Sequence, residues 1–268
     1  MIFYKPWKES KVAYALITGA TSGIGKAYAE ILGAAGYNLL LCGRRERLLE
    51  NTAEEIKKEF GNKIEIFIGN LGNYHEVERL LDMAQAYEIE WLVNNAGFGT
   101  DDRFLAEDPQ ILREMIHLHT ETPVLLCRGL LPQMIQRTRG YIVNVSSLAS
   151  QFPLPGAPIY TSTKAMLHTF TQALALEVIA TGIRVQSLLP GFTYTDFHSR
   201  LSNFEQPQKN KGLVRWASAQ SVARKSYRTI NSGSWKRVTL IPGFSNRLLR
   251  FLVLLLPWPV FRVIARKV

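Results

Sequence analysis

Short runs of consecutive apolar residues alternate along this chain with longer stretches in which apolar residues recur every three or four positions. The runs fall at 12–18, 38–42, 63–68, 90–93, 141–145 and 184–189. Their length and largely apolar content predict strands of a buried sheet. Helical spacing follows the first run through Ala27, Ile31, Leu32 and Ala35, and continues over 46–60 and from the third run to about residue 87. It returns over 108–136, interrupted near Pro123, and from Pro158 to about residue 180. Strands alternating with helices predict an α/β fold, a parallel sheet covered on both faces. Gly19, Arg44, Asn70, Asn94, Ser147 and Pro190 all lie just after predicted strands. Open parallel sheets bind ligands at the carboxyl ends of their strands, so one site is expected along that edge.

The first run ends in Thr18-Gly19-Ala20-Thr21-Ser22-Gly23-Ile24-Gly25 and leads into a helix. A strand, a glycine-rich turn and a helix start make a phosphate site, because the backbone can approach closely and unpaired N–H groups point at the anion. The spacing is GxxxGxG, which differs from the general dinucleotide fingerprint GxGxxG. The second run ends at Gly43-Arg44-Arg45 without the carboxylate that holds ribose hydroxyls in NAD-binding folds. Two arginines there favour a 2′-phosphate, hence NADP(H); the plainer reading is that they cap the next helix. Behind Pro158, Tyr160 and Lys164 stand four residues apart on one helix face. A fixed positive charge near a phenol favours its ionised form and moves it toward the range useful for proton transfer.

Composition narrows the class without changing it. A chain of 268 residues with 47% hydrophobic and 20% charged residues is an ordinary globular domain with an ample core. Cys42 and Cys127 both lie in apolar runs, which predicts buried free thiols, a reducing compartment and no metal site. Residues 1–11 lack the pattern of a signal peptide, so a cytoplasmic protein with a short N-terminal tail is expected. Charge is uneven: all 22 acids lie at or before Glu205, and 13 of the 32 Lys and Arg follow it. Such asymmetry implies an acidic partner surface. No aromatic-basic interleaving or zinc-finger spacing points to nucleic acid, which leaves lipid head groups or a phosphorylated substrate.

Taken together, TGATSGIG at 18–25, NNAG at 94–97, Ser147 thirteen residues before Tyr160, the YxxxK pair and Pro190-Gly191 resemble the short-chain dehydrogenase/reductase family, in that family's order. The resemblance spans about residues 12–195 and implies a Rossmann-like sheet of seven strands ordered 3-2-1-4-5-6-7. It implies that Tyr160 is the acid/base, that Lys164 lowers its pKa and binds the nicotinamide ribose, and that Ser147 orients the substrate carbonyl. Matching cofactor positions are Gly19, Thr21, Ser22, Gly23, Ile24, Gly25, Arg44, Arg45, Asn70, Leu71, Asn95, Ala96, Gly97, Pro190, Gly191, Thr193 and Thr195, besides Tyr160 and Lys164. Two positions depart: Asn70 replaces the usual Asp, and His119 stands where the family's catalytic asparagine is expected. His119 could relay protons itself or merely pack while a backbone carbonyl holds water.

The loop 192–216 and its surroundings supply Phe98, Phe152, Leu154, Phe192, Tyr194, Phe197, Leu201 and Phe204. With Ser147, the phenylalanines 98, 152, 192 and 197 are expected to line a pocket for a hydrophobic carbonyl, or else to pack on their own domain. Beyond a catalytic domain 1–242, the extension 243–268 combines a nearly apolar run with Trp258, Arg262, Arg266 and Lys267. The run is too short to span a bilayer. It fits a segment lying in the membrane interface, a subunit contact or a lid. The expected protein is an NADPH-dependent carbonyl reductase or alcohol dehydrogenase, forming a homodimer or homotetramer as the family commonly does. Reduction of 3-oxoacyl thioesters on carrier protein or coenzyme A is the specific alternative, and a non-catalytic NADP(H)-binding protein is the alternative of another class.

Overall fold

The computed structural model describes residues 12–100, 104–199, 210, 212–233, 235 and 237–265. The tail 1–11, Leu201 and Phe204 lie outside the described residues. The strands are β1 (Tyr14–Thr18), β2 (Asn38–Gly43), β3 (Ile64–Ile68), β4 (Ile89–Asn94), β5 (Gly140–Val145), β6 (Ile183–Leu188), β7 (Thr193–Tyr194), β8 (Ala217–Ser218) and β9 (Thr239–Leu240). Seven of them form one sheet in the order β3-β2-β1-β4-β5-β6-β9, with every pair parallel. That is the expected order. The only departure is the short β7–β8 ribbon, which pairs apart from the sheet within the loop predicted to face substrate.

The helices among the described residues are α1 (Gly23–Ala34), α2 (Glu46–Phe60), α3 (Tyr74–Ala84), α4 (Pro109–Ile116), α5 (Thr122–Gln136), α6 (Pro158–Glu177), α7 (Asp196–Ser199), α8 (Ala219–Ile230), α9 (Phe244–Leu254) and α10 (Trp258–Ala265), the last two following β9. Successive strand side chains serve opposite faces, as the two-residue period requires. Ala15 and Ile17 of β1, with Leu39 and Leu41 of β2, pack on α1, α2 and α8. Leu16, Leu40 and Cys42 point the other way, onto the layer of α3, α5 and α6. Leu16, Leu39, Leu40 and Leu41 are fully buried, each contributing about 1.5–3 kcal/mol relative to exposure. Both cysteines are free and buried.

The interruption expected near Pro123 is a π-helical turn, His117–Glu121, between α4 and α5. Its cause is local. Pro123 has no N–H to give the His119 carbonyl four residues back, and the Thr122 N–H bonds instead to the His117 carbonyl, five back. Such bulges concentrate at functional sites because they re-aim side chains. This one turns His119 into the interior, where 1% of its surface is exposed.

The boundary drawn at 243 understates how the extension begins. Asn246 on α9 is buried and donates to the Pro242 carbonyl at 2.7 Å. A Cβ on Gly191 would meet its Oδ1 at 2.5 Å. Arg250 Nε donates to Gln151 Oε1 at 2.7 Å. Helix α9 is therefore docked on the turns that follow β5 and β6. Among the described residues, no helix is long and apolar enough to cross a membrane.

Candidate active site

The first wall of the site is the turn between β1 and α1. Gly19 and Gly23 have φ of 68° and 57°, left-handed backbone that only glycine adopts without penalty. They are also packed from outside. A Cβ on Gly19 would meet Asn95 Nδ2 at 2.8 Å, and one on Gly23 would meet Thr195 Cγ2 at 2.8 Å. On Gly25 it would strike the Gly19 carbonyl. Asn95 Nδ2 donates to the carbonyls of Thr18 and Gly19 at 3.0 and 3.1 Å. The Thr18 hydroxyl accepts from the N–H groups of Asn95 and Ala96, both at 3.0 Å. The loops after β1 and β4 are thus cross-linked, and the backbone of the turn is left bare. Ser22 begins α1 with no side-chain cap, so the first-turn N–H groups remain available to an anion.

At the end of β2, Arg45 donates to Thr21 Oγ1 at 2.7 Å, Ser22 Oγ at 2.7 Å and Asp196 Oδ2 at 2.8 Å. Arg44 pairs with Glu114 at 2.7 Å and lies over the Phe98 ring. Arg45 therefore touches the phosphate turn, while Arg44, beside it at the end of β2, reaches α4 and Phe98. Their carboxylate partners come from α4 and α7. Exposed pairs of this kind contribute about 0–1 kcal/mol, little enough for a phosphate dianion to displace. Asn70 accepts from the Gly72 N–H at 3.1 Å. Leu71 is buried, and its carbonyl accepts from Thr122 Oγ1 at 2.7 Å. That bond ties the loop after β3 to the start of α5. The donor set fits an NADP-type dinucleotide: bare N–H groups for the pyrophosphate, arginines where a 2′-phosphate would lie, and no carboxylate at the end of β2.

The second wall comes from the turn after β5, the start of α6 and the π turn. Ser147 Oγ accepts from the Ala149 N–H at 3.1 Å, and the side chain faces the Tyr160 phenol closely enough to pull its pKa downward. Lys164 is buried, with Nζ 6.0 Å from the Tyr160 ring centroid, and donates to the Val145 carbonyl at 3.0 Å. His119 stands edge-on to Tyr160 at 5.8 Å. Its Nε2 accepts from the Phe98 N–H at 3.1 Å, and its Nδ1 lies 3.1 Å from Thr163 Oγ1. Thr163 in turn donates to the Tyr160 carbonyl at 2.9 Å. Only one proton arrangement satisfies all three bonds. A neutral imidazole with hydrogen on Nδ1 donates to Thr163 and accepts from Phe98. Thr163 was not among the residues singled out in the sequence. Its only sequence signal is the helical spacing from Tyr160, and its role appears once the π turn has delivered His119.

Burial governs the charges here. It holds His119 well below its ordinary 6.5, with Lys164 adding to the effect. It lowers Lys164 from 10.5 to about 8. It pushes the Tyr160 phenol above 10.0, against a smaller pull from Ser147. The expectation that Lys164 depresses the phenol is thus reversed in the protein alone, because desolvation of the phenolate outweighs a partly discharged ammonium held at a distance. At neutral pH Tyr160 carries its proton.

The predicted substrate side is brought together only in part. Phe197 lies 5.6 Å from the Tyr160 ring and Phe98 5.8 Å from His119. Phe192 instead stacks on Trp216 beside the β7–β8 ribbon, as Tyr194 does. Phe152 is half-buried after the helical turn Leu148–Gln151. The Pro190 carbonyl accepts from the Leu148 N–H at 2.8 Å, which sets the Pro190-Gly191 turn against the Ser147 turn. Thr193 Oγ1 donates to the Gly191 carbonyl at 3.0 Å. Among the described residues, no His, Cys, Asp and Glu cluster could hold a metal.

The sequence and fold have clear relatives. A very-long-chain 3-oxoacyl-CoA reductase of Anas platyrhynchos is 31% identical over 204 residues, 74% of this chain and 64% of that one, so less than two thirds of the relative's length is matched. The solved short-chain dehydrogenase of Sphingobium yanoikuyae in complex with NADPH matches with a TM-score of 0.78 at 25% identity, over 92% of this chain and 97% of that chain. The L-sorbose reductase of Gluconobacter frateurii, solved with NADPH and L-sorbose, matches with a TM-score of 0.75 at 27% identity, over 86% and 94%. The profile of the short chain dehydrogenase family covers residues 13–206, and with these likenesses the chain belongs to the short-chain dehydrogenase/reductase family.

Proposed function

We propose that the protein is an NADPH-dependent reductase of hydrophobic, lipid-like ketones or aldehydes, able to run in reverse on the alcohol. The observation that carries this reading is the gathering of Ser147, Tyr160 and buried Lys164 in one wall, with Lys164 Nζ 6.0 Å from the Tyr160 ring centroid and burial holding the phenol above its ordinary 10.0. A bound NADPH supplies the hydride to the carbonyl carbon. Tyr160 gives its proton to the carbonyl oxygen, and Ser147 holds that oxygen while charge develops on it. Lys164, cationic below about pH 8, stabilises the phenolate left behind and offers its N–H groups to the ribose. The uncapped N–H groups at the start of α1 would hold the pyrophosphate, and Arg44 and Arg45 would hold the 2′-phosphate. Saturation by NADH at lower concentration than NADPH would overturn the cofactor assignment.

A 3-oxoacyl thioester is the specific second reading, favoured by the likeness to the Anas very-long-chain 3-oxoacyl-CoA reductase and by the apolar Phe98 and Phe197 beside the catalytic wall. In this reading the protein is cytoplasmic and assembles as a homodimer or homotetramer, and residues 243–268 rest on a membrane surface where lipid-like substrates gather. The test is NADPH consumption with aldehydes, ketones and 3-oxoacyl thioesters of rising chain length, with Tyr160→Phe as control. Turnover that rises with chain length and vanishes in the control supports the reading. Tight NADPH binding without turnover on any of them would make this a non-catalytic NADP(H)-binding protein.

A further inference from the structure

Along the sheet edge formed by β9 runs a cleft of about 380 Å³ between α6, α8 and α9. His168, Gln172, Lys225, Arg237, Arg247 and Arg250 line it, and no acid does. Four cations around one hollow repel one another unless an anion sits among them. Among the described residues none of the four meets a carboxylate, and beyond Glu205 the chain has none to give. Arg250 is braced through Nε by Gln151, and Arg247 lies over the Phe244 ring. Both leave their terminal nitrogens for a ligand. His168 is buried, with Nδ1 held 2.8 Å from Ser187 Oγ. Gly243, which starts α9 without a side-chain cap, also lines the cleft. The positive end of an eleven-residue helix thus adds to the four cations.

Helix α9, which lines this cleft, and α10 after it also carry exposed apolar side chains. Phe244, Phe251, Leu255 and Trp258 on α9 and α10 are 74%, 61%, 65% and 65% exposed. An exposed apolar face with cations at its border is the pattern of a helix lying in a bilayer interface. A soluble phosphate alone would need the cations and leave the apolar face unexplained. We infer that the cleft holds the phosphate of an anionic phospholipid head group while the exposed side chains of α9 and α10 enter the acyl border beside it. This rests on the membrane reading of residues 243–268 and gives it a specific lipid contact.

The test is co-sedimentation of the full chain with vesicles of phosphatidylcholine alone and of phosphatidylcholine with phosphatidylserine. It compares wild type, Lys225→Gln/Arg237→Gln in the cleft, and Phe251→Ser/Leu255→Ser on the apolar face. Removing two cations from an anionic leaflet weakens binding roughly thirtyfold. The expected result is that loss for the cleft variant on phosphatidylserine vesicles, with its residual binding to phosphatidylcholine and its NADPH affinity unchanged. Equal sedimentation of wild type and cleft variant, with only the apolar variant released, would keep the membrane reading and overturn the head-group site. No sedimentation of wild type with either vesicle would overturn both. Calorimetric binding of coenzyme A that the cleft variant loses, while its vesicle binding stays at the wild-type level, would assign the cleft to soluble phosphates and overturn the lipid source.

Discussion

The wall around Tyr160 and the helix pair α9–α10 use the same side-chain types to opposite ends. In the wall, buried His119 is bonded to the Phe98 N–H and to Thr163, Thr163 to the Tyr160 carbonyl and buried Lys164 to the Val145 carbonyl, all at 2.9–3.1 Å. On the helix pair, aromatic and leucine side chains stay exposed and the nearby cations have no acid. Low dielectric makes each charge in the wall consequential and its geometry fixed. On α9–α10 the exposed Phe251, Leu255 and Trp258 bury little of their surface in the chain itself, so most of their apolar energy is realised only against a partner. The first region is built for chemistry and the second for contact, so the same kind of substitution should separate them.

The largest effect falls on the wall. Tyr160→Phe removes one oxygen, the proton source, and is expected to lower kcat by about 10²–10⁴. The ring, its edge contact with His119 and its neighbour Phe197 all remain, so the thermal midpoint should hold. Steady-state kinetics beside a melting curve tests both halves. A large fall in midpoint would mean the hydroxyl is structural.

Lys164→Met should divide activity from stability. Turnover is expected to collapse, because the counter-charge to the phenolate is gone. Stability should rise by about 1–3 kcal/mol at neutral pH, since an ammonium that burial lowers to about 8 is a charge the fold would rather not hold. The sign follows from the direction of the shift. A base with a depressed folded pKa penalises the folded state fully below about pH 8, and the penalty fades as pH rises toward its ordinary 10.5. The gain in the variant should therefore be full below about pH 8 and vanish above 10.5. Urea unfolding at three pH values reads it directly.

His119 is the finest test of the wall. Its neutral Nδ1–H form is held at both nitrogens, so it is expected to position Tyr160 through Thr163 and to carry no proton in turnover. His119→Phe keeps the ring and leaves the Phe98 N–H without its acceptor, a loss of about 1–3 kcal/mol in stability. His119→Asn, which can take one of the two bonds, should lose less. The kcat/KM profile of wild type is expected to lack a limb near 6.5, because burial holds the imidazole well below that value. A limb there that disappears in His119→Phe would restore the relay role.

How much of this was legible in the sequence divides along the same line. The glycine turn could be read because left-handed backbone and close approach leave a residue-type signature at fixed spacing. Tyr160 and Lys164 could be read because four residues is one helical turn. The parallel sheet followed from alternation with helices and its strand order from the family resemblance, with strand ends shifted by one or two residues, as at Tyr14 for an expected Val12. Partners from distant segments were not legible. Glu114 reaches Arg44 across 70 residues and Asp196 reaches Arg45 across 151. Thr163 gains its role from a π turn 44 residues earlier, for which Pro123 was the visible cause and His119 the invisible result. The docking of α9 escaped because Asn246 faces Gly191, a contact between a tail and a turn that no local pattern announces.

The smallest effect is expected on the exposed helices, and it sets the scale for the rest. Leu16 is fully buried at the centre of the sheet, and Leu16→Ala should cost about 2–5 kcal/mol through the cavity it leaves. Phe251 and Leu255 keep 61% and 65% of their surface exposed, so little apolar burial is lost when either becomes serine. Phe251→Ser and Leu255→Ser are therefore expected to shift stability by no more than about 0.5 kcal/mol, with turnover unchanged and solubility improved. Chemical denaturation of the three variants side by side makes the comparison. A loss at Phe251 or Leu255 on the scale of Leu16 would mean that the face is covered in solution by a second copy of the chain. The two regions would then both be interior, and the division between chemistry and contact would fail.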